Sequence, residues 1–91
     1  MQIWKFTLMA DPKQTLLMPK GATILSVQIK RQVPCLWVEC DPKAPKEERV
    51  IETFETGVDI PCDMGVERKY IGTFIVEGSI PMVFHTYERI S

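Results

Sequence analysis

Apolar and polar residues alternate along most of this chain, the period-two pattern of strands with one buried face. Over residues 2–8, Trp4, Phe6 and Leu8 fall on one face and Ile3, Lys5 and Thr7 on the other. Asp11-Pro12-Lys13 interrupts the pattern as a turn, a short strand follows over 14–18, and Pro19-Lys20-Gly21 ends it. Residues 22–31 put Leu25, Val27 and Ile29 on one face, with Ser26, Gln28 and Lys30 opposite. Gln32 to Pro34 leads into the compact apolar run Cys35–Cys40, so 25–40 predicts a hairpin, although no Asn-Gly or Asp-Gly fixes its register. Within that run Leu36, Val38 and Cys40 form the more uniformly apolar face. They are expected to face the core, which turns Trp37 outward.

The most polar stretch, Asp41 to Glu48, carries two prolines and reads as a solvated loop with a helical turn at 44–48. Strand residues 49–56 set Val50, Glu52 and Phe54 against Ile51, Thr53 and Glu55. An irregular loop follows over 57–66. Two long strands, 68–77 and 82–89, are joined by Gly78-Ser79-Ile80-Pro81. About seven strands with regular turn spacing predict an all-β fold, a compact antiparallel β-sandwich or small barrel, in one domain over residues 1–91.

Composition narrows the chemistry. The net charge is −1 and the eleven basic residues are scattered, so no basic face is offered to a nucleic-acid polymer. No apolar run reaches the ~20 residues of a membrane span, and Met1-Gln2-Ile3-Trp4-Lys5 lacks a signal peptide's pattern, which implies a cytoplasmic protein with reduced thiols. In a chain this short, 45% hydrophobic content implies surface closed by self-association, so a homo-oligomer is expected. Three cysteines and one histidine could supply four zinc ligands, but Cys35 and Cys40 stand five apart and face opposite ways on a strand. His85 has no neighbouring thiol in sequence, the five glycines stand singly, and the acidic residues read as a solvated face. No catalytic residue, metal or cofactor is therefore assigned. Aromatics beside polar groups remain. Trp4, Trp37, Tyr70 and Tyr87 can stack on a base or anchor a protein partner, and Thr56-Gly57 at a strand end can offer backbone amides to a phosphate.

Several blocks carry a resemblance: Met18-Pro19-Lys20-Gly21-Ala22, Ile24-Leu25-Ser26-Val27-Gln28, Val33-Pro34-Cys35-Leu36-Trp37, Asp41-Pro42, Ala44-Pro45-Lys46, Thr56-Gly57, Tyr70-Ile71-Gly72-Thr73-Phe74 and Val83-Phe84-His85. Together they resemble a family of small uncharacterised proteins of bacteriophages and prophages, classed as a domain of unknown function. Members often follow the Thr-Gly step with a histidine, where this chain has Val58. In setting and size the family is similar to phage immune-signal sponges such as Sequestin and Lockin, which bind nucleotide second messengers without cleaving them. That similarity implies a non-enzymatic binding protein that sequesters a cyclic ADP-ribose-like compound or cyclic dinucleotide to counter host defence. The alternatives are an inhibitor of a host protein by direct contact, or an assembly accessory. For a nucleotide, the candidate contacts are Trp37, Thr56, Gly57 and His85, with Lys69 and Arg31 as phosphate partners.

Overall fold

A computed structural model of the chain describes residues 1–61 and 64–90. Seven strands follow in order: β1 (Gln2–Thr7), β2 (Lys13–Pro19), β3 (Thr23–Lys30), β4 (Val33–Cys40), β5 (Lys46–Glu55), β6 (Arg68–Val76) and β7 (Met82–Arg89). They form two sheets, β1-β4-β3 and β2-β5-β7-β6, with every pairing antiparallel. The arrangement is sandwich-like, and the two sheets do not close into a barrel. Among the described residues there is no helix, and so none long and apolar enough to cross a membrane.

The alternation that marks each strand also builds the core. Trp4, Phe6 and Leu8 of the first segment and Leu36, Val38 and Cys40 of β4 pack with Met18, Ile51 and Phe74 of the other sheet. Cys35 and Cys40 are both free thiols, on opposite faces of β4, and Cys62 lies outside the described residues.

Strict alternation fails at two bulges. Ile24 pairs with Val38 and Ser26 with Trp37, so Leu25 is the extra residue, and it stands 47% exposed instead of sharing a buried face with Val27. Ile24 takes its place against the core. The second bulge, between Tyr70 and Gly72, lets Ile71 reach the core and brings β6 against β3. A Cβ on Gly72 would come within 2.9 Å of Val27 Cγ1, so only glycine permits that approach. The helical turn expected at 44–48 is absent. Lys46, Glu47 and Glu48 instead pair with Pro19, Met18 and Leu17, because the ladder with β2 satisfies their backbone groups in extended form.

The β3–β4 turn is two residues, Arg31 and Gln32, both with positive φ (52° and 66°). This is the backbone of the type I′ hairpin turn, built without the Asn-Gly that favours it.

Candidate functional site

On the outward face of the four-stranded sheet, β5, β6 and β7 place a connected set of polar and aromatic side chains. The Thr56 hydroxyl lies 3.3 Å from the Val83 carbonyl and 2.7 Å from His85 Nε2. Given to the carbonyl, its proton leaves Oγ1 to accept from His85, which assigns the Nε2–H tautomer. His85 Nδ1 then accepts from the Thr73 hydroxyl at 3.0 Å, and Thr73 in turn accepts from Tyr70. The result is a directional chain of hydrogen bonds, Tyr70–Thr73–His85–Thr56, across three strands. Beside it Tyr87 meets Tyr70 and Phe54 edge to face, at 5.4 and 6.0 Å between centroids. Tyr70 remains 54% exposed.

The second feature is a cleft of about 570 Å³ between the sheets. Its floor is the stacked pair Phe74 and Phe84, with Leu8, Pro34 and Val76 around them. Three connections wall it, and a side chain ties each one in place. Gln14 holds the 9–11 segment: its Oε1 accepts from Met9 N at 2.8 Å, and its Nε2 donates to Met9 O at 3.2 Å. Gln32 ties the β3–β4 turn to the end of β6 by donating to Glu77 O at 2.9 Å and accepting from Glu77 N at 3.3 Å. Arg68, paired with Glu52 at 2.8 Å, donates to Pro61 O at 3.0 Å and so fixes the loop after β5. Among the described lining residues are Asp11, Glu55 and Asp59, and no lysine or arginine. Among the described residues these three carboxylates form no ion pair.

A third polar group is structural. Arg49 makes a two-pronged bond to Glu88 and donates to Ala22 O at 2.9 Å, while Glu47 accepts from Gly21 N at 2.8 Å. Donation to the Glu88 carboxylate, opposed in part by burial, holds the Arg49 guanidinium above its ordinary value. A raised folded-state value contributes stability that is complete below arginine's ordinary range, so the Arg49 guanidinium is charged at every working pH. Lys69 and Tyr70 line a smaller pocket of about 110 Å³ beside it.

The residues singled out in the sequence do not converge on one place. Thr56, Gly57 and His85 come together on the outward face of the larger sheet. Trp37 lies on the outward face of the other sheet, half-buried, with its Nε1 donating to Gln28 at 3.2 Å. Arg31 is at the exposed tip of the β3–β4 turn. Lys69 is registered opposite Glu88, away from His85. Sequence inspection missed Tyr70 and Thr73 as partners of His85, the cleft, and the Arg49–Glu88 pair. Only the position of Tyr70 opposite Tyr87 on paired strands could have flagged the first of these.

The chain belongs to the family described as Domain of unknown function (DUF7352), whose pattern spans residues 1–91. No curated protein and no solved structure matches it.

Proposed function

We propose that this member of the DUF7352 family is a non-catalytic binding domain whose ligand occupies the cleft between the sheets. One observation carries this: a cleft of about 570 Å³ with a stacked aromatic floor and three walls, each held by a side-chain hydrogen bond. Small-molecule sites are typically apolar concavities of roughly 300–1,000 Å³ with a few placed polar groups. Walls already fixed spare the ligand much of the ordering cost of binding. A neutral solvatochromic dye should bind with a saturable blue shift in emission. Val58→Trp, a large side chain at an exposed rim position, should abolish the shift without changing the circular dichroism. A dye that does not bind the folded protein would sink this reading.

A second reading keeps the nucleotide signal and moves it to the outward face of β5–β7–β6. It is supported by the Thr56–His85 contact at 2.7 Å beside Gly57, with the exposed Tyr70 ring as a stacking surface. In this reading the protein is a phage-type sponge, and two copies meet through that face with the nucleotide between them. Calorimetry with cyclic dinucleotides and cyclic ADP-ribose compounds tests it. Heat that disappears in His85→Ala supports outward-face binding, whereas silence across the panel removes it and leaves the cleft untouched.

A further inference from the structure

Resting on the cleft as the ligand site, we infer that it selects a small organic ammonium ion with an apolar body. Three features of the lining converge on this class. The floor and inner walls are hydrocarbon: the Phe74–Phe84 stack, Leu8, Pro34 and Val76. The charged groups among the described lining residues are all of one sign, Asp11, Glu55 and Asp59, and come from two different connections and the end of β5. None of the three is neutralised by a cation among the described residues. The nearby cation Arg68 is already committed to Glu52, to the Pro61 carbonyl and to the Phe54 ring at 5.6 Å. An apolar ligand would therefore enter a negative potential that no lining group offsets.

The same arrangement discriminates by charge. A phosphate or carboxylate in this cleft would meet three carboxylates and, among the described lining residues, no compensating side-chain cation, so the nucleotide of the second reading is disfavoured at this site. An ammonium group could lie between carboxylates while its hydrocarbon covers the phenyl rings, and those rings also attract a cation over their faces. The carboxylates are at a solvated mouth, so the charge effect is moderate and sensitive to salt.

The test uses one phenylbutyl skeleton as its amine, its alcohol and its carboxylate, titrated into the whole chain by calorimetry. At low salt the amine should bind about tenfold more tightly than the alcohol, with the carboxylate weakest, and high salt should bring amine and alcohol together. The triple variant Asp11→Asn, Glu55→Gln, Asp59→Asn should erase the amine's advantage over the alcohol, with its circular dichroism unchanged to show that it is folded. A carboxylate that binds as well as the amine would overturn the charge inference and leave the cleft as a binding site. So would an advantage that survives in the triple variant. Failure of all three compounds to bind would instead overturn the cleft itself.

Discussion

Thr86 is wholly buried, and its hydroxyl has no hydrogen-bond partner among the described residues. An unsatisfied buried polar group costs about 1–3 kcal/mol. Thr86→Val, which keeps the β-branched shape, should therefore stabilise the fold by about 1 kcal/mol. For a domain of this size that raises Tm by about 4–8 °C. An unchanged or lower Tm would mean that the hydroxyl is partnered. Trp37 is the other residue whose surroundings decide the outcome. It faces outward, half-buried, with one hydrogen bond to an exposed glutamine, whereas its neighbour Leu36 is 0% exposed in the core. Leu36→Ala should cost about 3 kcal/mol or more, Trp37→Ala only about 1–2 kcal/mol, and urea unfolding of the pair measures the difference. Equal losses would place Trp37 in the core. The outward turn of Trp37 was legible in the sequence, because Leu36, Val38 and Cys40 outweigh Cys35 and Glu39 in apolar character. The bond between Arg49 and Glu88 was not, since its partners lie 39 residues apart and meet only once β5 and β7 pair.

Turn chemistry dominates at the level of elements. Arg31 and Gln32 hold positive φ without being glycine or asparagine, a conformation costing roughly 1–2 kcal/mol per residue. Gln32 is retained by its paired bonds to Glu77, while Arg31 makes no comparable contribution to the cleft wall. Arg31→Asn should relieve strain at the first position and stabilise the hairpin by about 0.5–1 kcal/mol, seen as a Tm raised by a few degrees. A fall in Tm would show that the arginine side chain supports the turn. The existence of all seven strands was legible, and so were the approximate ends of all but β5, because alternation follows directly from which face is buried. Bulges were not. Inserting one residue at Leu25 changes which face later side chains occupy, and nothing in the composition of Ile24-Leu25-Ser26 announces it. The charged Lys46-Glu47-Glu48 segment was misread for a related reason: its local preference is helical, and its partner strand is distant in sequence. The cleft was invisible from the chain because its walls come from separate connections whose juxtaposition only the sheet order creates.

The whole molecule is flat, 43 × 36 × 17 Å, and exposes 6138 Å². A compact monomer of this mass would expose only about 5,400 Å². The larger sheet carries apolar groups on both faces, the core side chains inward and Phe54, Tyr87, Tyr70 and Ile75 outward. Sedimentation at micromolar concentration should accordingly show a species of twice the chain mass. Ile75→Lys, on the outward face, should return it to the single-chain mass; a wild-type monomer at all concentrations would leave that face to another partner. The strand order has a further consequence, for how the chain reaches this shape. Only β3–β4 and β6–β7 join strands consecutive in sequence, so these two hairpins can form within microseconds. β1 must wait for β4 and β2 for β5, each across a long closed loop, which puts complete folding in the millisecond-to-second range. The amino-terminal strands, made first by the ribosome, are thus the last to find their places and the first to leave them. In native-state hydrogen exchange the amides of β1 and β2 should open at lower free energy than those of β4, β5 and β7, the inner strands of the two sheets.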